Sequence, residues 1–124
     1  MNKQKVIICH PLNEGFNESL QQLSYDKLFI LTDKHTHQFC LPQITHLESI
    51  NEFHEICIGT EDINKNIETL AYVWQTLSEL GATRHSLMIN LGGGMVTDLG
   101  GFAASTFKRG IPFINIPTTL LAMV

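Results

Sequence analysis

The chain has 124 residues, a length typical of one domain, so a second domain does not fit within it. Hydrophobic residues make up 44% of the sequence and charged residues 16%, a balance that indicates a folded globular protein and excludes intrinsic disorder. Acidic side chains outnumber basic ones by 12 to 8, for a formal net charge of −4. The chain therefore lacks the excess of positive charge that attracts phosphate backbones, and nucleic acid is excluded as a partner.

No segment of the sequence is typical of a membrane helix or a signal peptide. The longest uncharged stretch, Gly110 to Val124, is broken by Pro112 and Pro117 and is shorter than the roughly 20 apolar residues that span a bilayer. The apolar run behind the basic start covers only Val6 to Cys9, which is too short for the core of a signal peptide. We therefore expect no membrane partner and a cytoplasmic location.

The three cysteines are Cys9, Cys40 and Cys57, and none forms a CxxC pair. An odd set without that spacing argues against a disulfide framework and favours reduced thiols in a cytosol. Because a free cysteine behaves as a small apolar side chain, we expect all three to be buried core residues.

In the first half of the chain, apolar runs predict two strands, and weaker patterns predict two helices. The strands cover Lys5–Cys9 and Leu28–Thr32, where apolar and β-branched residues follow one another without alternation, as in strands buried on both faces. The helical segments are Glu18–Leu23 and Gln38–Leu47, the second of them interrupted by Pro42.

The second half of the chain alternates strands with helices. Strands are predicted at Glu55–Gly59, Ser86–Leu91 and Phe113–Ile116. Between the first two, apolar residues at steps of three and four predict an amphipathic helix that ends at Gly81. These apolar residues are Ile67, Leu70, Ala71, Trp74, Leu77 and Leu80.

A further helix is predicted from Met95 to Arg109. Lys108 and Arg109 are placed in its last turn, where positive charge complements the helix dipole, and Gly110 follows as a stop. Strands alternating with helices indicate the α/β fold class, here a Rossmann-like open parallel sheet with helices on both faces. The apolar face of the helix consists of Leu99, Phe102, Ala103 and Thr106.

Acids, hydroxyl groups and glycines follow the predicted strands, at the carboxyl-end edge where open α/β sheets bind their ligands. Side chains and backbone of this kind hold ribose hydroxyls and phosphates, so the sequence predicts a nucleotide site at this edge. The segments concerned are Thr32 and Asp33, Gly59 to Asp62, Gly92 to Gly94, and Pro117 to Thr119.

The triplet Gly92 to Gly94 stands between a predicted strand and a predicted helix. Without β-carbons the backbone can approach a diphosphate, whose charge then meets the free N–H groups at the helix start. Thr97 occupies the place where the dinucleotide fingerprint usually has its third glycine, and a P-loop is excluded because no Lys-Ser/Thr pair follows. The alternative interpretation is a tight turn that binds no ligand.

Two features of the predicted helix have competing interpretations. Asp98, placed in the first turn, is either an acid favoured by the helix dipole or an acceptor for a ribose or nicotinamide group. Gly100 and Gly101 each cost a helix about 0.8–1 kcal/mol relative to alanine, so we expect a neighbouring element to approach closely there.

The six histidines do not predict a metal site. His35 and His37 are two residues apart, which suits a strand edge rather than one face of a helix, and no second cluster completes a ligand set. No nucleophile signature such as GxSxG is present either. We therefore expect no metal ligand within this chain.

The chain carries a glycine triplet followed by an acid and a Gly-Phe pair between Gly92 and Phe102, then Arg109-Gly110, then Pro-Thr-Thr-Leu-Leu-Ala from Pro117. This ordered set resembles 3-dehydroquinate synthase, whose pattern is GGG, two residues, a small residue, D-L-x-G-F-x-A-x-x-x-x-R-G and then P-T-T-L-L-A. Upstream, Glu61 to Thr69 resembles the family's G-E-x-x-K-S-x-E-T segment, and Leu31 to Asp33 resembles its T-D-x-N turn.

The resemblance implies an NAD-using enzyme of the shikimate pathway, and hence of aromatic amino acid biosynthesis, that converts DAHP to 3-dehydroquinate. In such enzymes NAD transiently oxidises a ring hydroxyl, phosphate is eliminated, the ketone is reduced again, and the ring opens and recloses. It also implies a homodimer in which Arg109 binds substrate, often across the dimer interface. The residues that would contact NAD are Asp33, Thr60, Glu61, Asp62, Lys65, Gly93, Gly94, Met95, Thr97, Asp98, Thr118, Thr119 and Leu121.

Several positions depart from the family pattern. Asp62 stands where the family usually has Glu, and His35 replaces the expected Asn of the adenosine-side turn. Thr97 and Gly100 replace frequent Gly and Ala. Asp62 keeps the charge with a shorter reach, whereas His35 changes the chemistry of one contact.

The family pattern continues beyond Ala122 through D-S-S-V-G-G-K-T into a helical domain with catalytic lysines and a Glu, His and His set for zinc or cobalt. The present sequence ends in an apolar run at Val124, so we expect residues 1–124 to be the N-terminal NAD-binding domain, cut from a longer chain and inactive alone. Two alternatives are another sugar-phosphate cyclase, such as 2-deoxy-scyllo-inosose synthase, and a non-catalytic NAD-binding module. An iron-dependent dehydrogenase shares the glycine triplet and acid, but Phe102, Arg109 and the Pro117 segment favour the cyclase.

Overall fold

The structure is a computed structural model that describes residues 4–6, 20, 22–45, 50, 52–59 and 66–117. Within these ranges all strand pairs are parallel, and the strands lie in the order β1-β5-β4-β2-β3. The strands are β1 (Gln4–Val6), β2 (Leu28–Asp33), β3 (His54–Ile58), β4 (Leu87–Gly92) and β5 (Phe113–Pro117). The helices are α1 (Lys34–Phe39), α2 (Leu41–Ile44), α3 (Asn66–Glu79) and α4 (Gly94–Thr106).

The sheet is covered on both faces, which confirms the predicted α/β fold class. Alternate residues of the strands point to opposite faces, and two separate apolar clusters result. On one face Ile30, Ile89 and Ile114 pack with Leu41 and Ile44 of α2. The other cluster joins the sheet to α3 and α4 through Phe29, Leu31, Ile56, Ile58, Met88, Phe113, Val73, Leu77, Ala103 and Ala104.

The chain changes direction between the central strands β4 and β2. After β2 it passes through α1 and α2 on one face to reach the neighbouring strand β3, and after β4 it passes through α4 on the other face to reach β5. The segments that leave these two adjacent strands therefore diverge. In open α/β sheets such a switch point leaves a crevice at the carboxyl ends of the strands, where ligands bind.

The predicted strands agree with the structure where it describes them, although Ile7 to Cys9 and most of the predicted helix Glu18–Leu23 lie outside the described residues. The predicted amphipathic helix corresponds to α3, and Gly81 follows it with a left-handed φ of +82°. Gly100 and Gly101 lie where α4 packs on the sheet, as expected: a β-carbon at Gly101 would come within 3.2 Å of the Phe113 ring.

Two helix boundaries were wrong. Pro42 does not interrupt a helix that begins at Gln38; it lies in the first turn of α2, where a proline's missing N–H costs nothing. Helix α4 ends at Thr106 rather than Arg109, because buried Phe107 is the C-cap and Lys108 turns into the left-handed region with φ of +52°. Lys108 and Arg109 thus belong to the turn after the helix.

Among the described residues, no helix combines the length and apolar character required to cross a bilayer.

Candidate functional site

The glycine triplet lies at the carboxyl end of β4, beside the crevice between β4 and β2. Gly92 ends the strand, Gly93 is the N-cap with an extended backbone, and α4 begins at Gly94. No side chain among the described residues caps this helix, and no acidic residue occupies its first turn. The first N–H groups of a helix have no partner within it, so those of α4 are available to an anion at the positive end of the helix dipole.

The three glycines are there for different reasons. A β-carbon at Gly92 would come within 2.9 Å of the Val96 side chain, so this glycine allows α4 to pack against the end of its strand. At Gly93 and Gly94 a β-carbon would meet no atom of the described residues within 4 Å. Neither has a positive φ, so neither packing nor backbone strain demands glycine at these two positions. Both are exposed, and their bare backbone leaves room for a ligand at the amides.

Asp33 lies across the crevice, where β2 passes into α1. Its Oδ1 accepts a hydrogen bond of 2.8 Å from the Thr36 amide, while Thr36 Oγ1 accepts one of 2.9 Å from the Asp33 amide. This capping box fixes the start of α1 and leaves Oδ2 of Asp33 without a partner among the described residues. The sequence analysis missed this structural role, although Asp and Thr at a spacing of three are a recognisable signal.

The buried thiol of Cys40 lies at the end of α1. Burial raises the pKa of the Cys40 thiol, and the negative charge of Asp33 raises it further. Cys40 is therefore a neutral, buried core residue, as expected from the sequence.

Three further predicted residues lie on the exposed start of α4. Met95 is 53% exposed, and Asp98 is exposed in the second turn of the helix, not the first, because α4 starts at Gly94. The hydroxyl of Thr97 donates to the carbonyls of Gly93 and Gly94, at 3.2 and 3.0 Å. Thr97 thus stabilises the glycine turn itself.

Arg109 is not brought to this crevice. It is exposed in the turn after α4, at the opposite end of a helix of 13 residues from Gly94. A rise of about 1.5 Å per residue places the two ends of α4 roughly 20 Å apart. The remaining predicted residues, Thr60, Glu61, Asp62, Lys65, Thr118, Thr119 and Leu121, lie outside the described residues.

A cleft of about 730 Å³ lies at the opposite end of the strands from the glycine turn, by the amino ends of β2 and β3. The sequence analysis did not find it, because its lining comes from turn residues that carry no motif. It lies at the amino ends of the strands, whereas open α/β sheets bind ligands at the carboxyl ends, so the topology favours the crevice beside the glycine turn as the candidate site. The cleft is lined by Tyr25, Asp26, Lys27, Leu28, Glu52, Phe53 and His54.

The predicted placement of two histidines and the predicted burial of one cysteine were wrong. His35 and His37 lie on α1, not at a strand edge, because the capping box starts a helix directly after Asp33. Glu55 and Cys57 of β3 lie beside His37 and form with it a group that could hold a metal ion. Cys57 is exposed, not buried, since Ile56 and Ile58 take the inward positions of β3.

Comparison of the sequence with known proteins gives consistent matches. The family model described as 3-dehydroquinate synthase N-terminal matches residues 55–124. The 3-dehydroquinate synthase of Parabacteroides distasonis is 48% identical over 124 residues, which is 100% of this chain and 35% of that protein. That of Pyrococcus furiosus is 40% identical over 107 residues, 85% of this chain and 31% of that protein. The chain thus spans about a third of the length of these relatives.

Solved structures show the same fold. A crystal structure of 2-deoxy-scyllo-inosose synthase superposes with a TM-score of 0.76 at 20% identity, covering 93% of this chain and 32% of that one. A 2-epi-5-epi-valiolone synthase from Streptomyces hygroscopicus, solved with NAD⁺ and Zn²⁺ bound, superposes with a TM-score of 0.68 at 23% identity, covering 95% and 32%.

Proposed function

The chain belongs to the 3-dehydroquinate synthase family, and we propose that residues 1–124 form the NAD-binding domain of an enzyme that converts DAHP to 3-dehydroquinate with release of phosphate. The observation that carries the proposal is the uncapped start of α4. Gly93 and Gly94 leave its amides open at the switch point of the sheet, where a diphosphate can bind. NAD bound there would oxidise a substrate hydroxyl to a ketone, and the NADH so formed would later reduce that ketone back to the alcohol.

Each described residue of the crevice has a role in this proposal. The amides at the start of α4 donate to the diphosphate, and Oδ2 of Asp33 accepts a hydrogen bond from a ribose hydroxyl of the adenosine. Thr97 holds the glycine turn in shape through its two hydrogen bonds to backbone carbonyls. Asp98 and Met95 line the approach to the nicotinamide. Contacts from Thr60, Glu61, Asp62, Lys65, Thr118, Thr119 and Leu121 complete the proposed cofactor site.

The position of Arg109 suits a substrate-binding role in the active site of another subunit, not in the crevice beside its own glycine turn. It lies about 20 Å from the glycine turn, beyond the reach of an arginine side chain. We propose that it extends into the active site of the other subunit of a homodimer. In the complete enzyme, Arg109→Ala would then lower turnover more than it lowers the affinity for NAD.

The 124-residue chain alone is proposed to be inactive and to bind NAD weakly. The catalytic lysines and the Glu, His and His ligands of zinc or cobalt that the resemblance implies are not among its residues. Of the two solved structures that share the fold, one was determined with NAD⁺ and Zn²⁺ bound.

A second candidate is another sugar-phosphate cyclase, since a 2-deoxy-scyllo-inosose synthase shares the fold with a TM-score of 0.76. Sequence favours the first candidate, because the identity is 48% to a 3-dehydroquinate synthase and 20% to that cyclase. Turnover separates the two: the protein from the complete reading frame is expected to release phosphate from DAHP, and no release from DAHP but release from another sugar phosphate would favour the second.

Calorimetric titration of the 124-residue chain with NAD tests the cofactor site. We expect weak binding that Gly93→Val lowers by about tenfold or more, since the new side chain would fill the space in front of the amides without touching the protein. Ser105→Val, on the exposed surface at the far end of α4, is the matched control and should leave the affinity unchanged. Equal affinity of Gly93→Val and the unaltered chain would contradict the site, and micromolar or tighter binding would contradict the incomplete-site proposal.

A further inference from the structure

Three potential metal ligands converge beside the edge strand β3, on the face of the sheet that α1 and α2 cover. They are His37 from α1 and Glu55 and Cys57 from β3, and one ligand atom of each lies within 4.8 Å of the others. His37 Nδ1 and Glu55 Oε2 are 2.6 Å apart. The residues are separated in the sequence by up to 20 positions, so the group exists only because α1 folds back over β3.

The strand geometry places Glu55 and Cys57 together. Successive side chains of a strand point to opposite faces, and Ile56 and Ile58 point into the core under α3. Glu55 and Cys57 therefore share the opposite face, which is the face covered by α1 and α2. Among the described residues β3 is the last strand of the sheet, so no strand pairs with its outer edge beside Glu55 and Cys57.

Two hydrogen-bonding features hold the ligands in place. Buried Thr32, on the neighbouring strand β2, donates from its hydroxyl to Glu55 Oε2 at 2.7 Å. The capping box of Asp33 and Thr36 fixes the first turn of α1, and Thr36 directly precedes His37. Metal ligands in proteins are typically oriented by such outer hydrogen bonds, which set the direction of the ligand oxygen or nitrogen.

The donor set selects a class of metal. One imidazole nitrogen, one carboxylate oxygen and one thiolate sulfur suit zinc or cobalt, whereas magnesium and calcium prefer oxygen ligands alone. Zinc bonds of about 2.0–2.3 Å require ligand atoms closer together than 4.8 Å. The side chains of His37 and Glu55 are 55% and 21% exposed, so both are accessible to an ion from solvent. Their hydrogen bond of 2.6 Å is shorter than the roughly 3.3 Å between two ligands of a tetrahedral zinc ion, so bonds to the ion would replace it.

The hydrogen bond between His37 and Glu55 gives no reason for a cysteine thiol to lie beside the pair. The Cys57 thiol is exposed, and its contact with the Ile58 carbonyl is weak at 4.0 Å. A divalent ion can bind a thiol, a histidine nitrogen and a carboxylate together. It displaces the thiol proton and binds the resulting thiolate.

From this geometry we propose that His37, Glu55 and Cys57 form a binding site for zinc or cobalt, with the fourth position open to water. The ion would tie α1 to the edge strand β3. None of the three residues belongs to the Glu, His and His set that the family resemblance implies, and the site does not depend on the proposed binding of NAD.

Titration of the reduced 124-residue chain with Co²⁺ tests the site by spectroscopy. We expect one saturable equivalent, a thiolate-to-cobalt charge-transfer band in the near ultraviolet, and displacement of the cobalt by zinc. Cys57→Ser should abolish the band, and His37→Gln and Glu55→Gln should each weaken binding by about tenfold or more. The matched controls Cys9→Ser, Cys40→Ala and His35→Gln should keep the band.

A second measurement needs no variant. Zinc at saturation should slow the alkylation of Cys57, measured by mass spectrometry of its peptide, with Cys9 as the internal comparison. The proposal is overturned if the unaltered chain shows no saturable band, if the band survives Cys57→Ser, if His37→Gln and Glu55→Gln leave the affinity for cobalt unchanged, or if zinc leaves the alkylation rate of Cys57 unchanged.

Discussion

Gly100 of α4 lies directly on the side chain of Asn90 of β4. A β-carbon at Gly100 would overlap the Asn90 amide, whose Oδ1 is buried without a hydrogen-bond partner among the described residues. Asn90 Nδ2 donates to Oδ1 of Asn115, its direct partner across β4 and β5, at 3.0 Å. A polar pair thus lies within the otherwise apolar layer between α4 and the sheet, and the glycine makes room for it.

We predict that Gly100→Ala destabilises the chain by about 1–3 kcal/mol, because the added methyl group has no free volume and the buried amide cannot move away. Urea unfolding followed by circular dichroism measures the change. Gly94→Ala, on the same helix but in open space, is the matched control and should be neutral or slightly stabilising.

The double variant Asn90→Ala/Gly100→Ala identifies the cause. Removing the amide removes both the overlap and the unpaired oxygen, so this variant should recover most of the stability that Gly100→Ala loses, and the coupling free energy should exceed about 1 kcal/mol. Half-buried Asn115 would lose its protein partner but lies close enough to solvent to bind water. Additive effects of the two substitutions would show that Asn90 is not the obstacle.

Asp33 caps α1, and the proposed cofactor site gives it a second role; a second prediction distinguishes the two. Asn is as good an N-cap as Asp, whereas Ala is not, so Asp33→Ala should lower the free energy of unfolding by about 0.5–2 kcal/mol and Asp33→Asn by much less. Both variants should bind NAD more weakly, since both lose the carboxylate. Asp33→Asn with unchanged NAD affinity would leave Asp33 as a helix cap alone.

The third prediction concerns Asp26, just before the amino end of β2, and its effect on the free energy of unfolding at acid pH. Hydrogen bonds from Thr83 at 2.5 Å and from Ser86 at 2.7 Å lower the pKa of Asp26. A carboxylate with a lowered pKa in the folded state contributes stability above its ordinary pKa of about 3.9, and this contribution is lost as the pH falls through the folded-state value.

Asp26→Ala should therefore lower stability at pH 7 and flatten the decline of stability below about pH 5. The effect should stay under about 1 kcal/mol because Asp26 is exposed to solvent. Unfolding curves across the acid range measure it, and Thr83→Val should be less destabilising in the Asp26→Ala background than alone. An unchanged acid slope would show that these hydrogen bonds do not favour the charged form.

Sequence periodicity was sufficient for the elements whose apolar residues repeat regularly. Helix α3 follows from its apolar steps of three and four, and the end at Gly81 follows from the left-handed turn that glycine adopts there. The start of α1 could also have been found, since Asp33 and Thr36 are a capping pair. The end of α4 could not, because it depends on the burial of Phe107 against the tertiary core.

The glycine turn and the proposed metal site also differ in how far the sequence could predict them. The glycine turn is local, so three consecutive residues between a strand and a helix were enough to predict it. The group of His37, Glu55 and Cys57 is assembled by the contact of α1 with β3, and nothing in the spacing of these residues indicates that contact. Likewise, the partnership of Asn90 with Asn115 depends on which strands are neighbours in the sheet.

The last prediction concerns the turn between α4 and β5, where Lys108 adopts a φ of +52°. A residue with a β-carbon costs roughly 1–2 kcal/mol in this region, whereas glycine does not, although glycine also loses more freedom on folding. Lys108→Gly should therefore stabilise the chain by about 0.5–1 kcal/mol, measured by urea unfolding. Lys108→Ala keeps the β-carbon while removing the charge and the contact of the Lys108 ammonium with the Phe107 ring at 5.7 Å, so it should not stabilise. If both variants gained the same stability, the gain would come from loss of the charge and not from relief of the backbone.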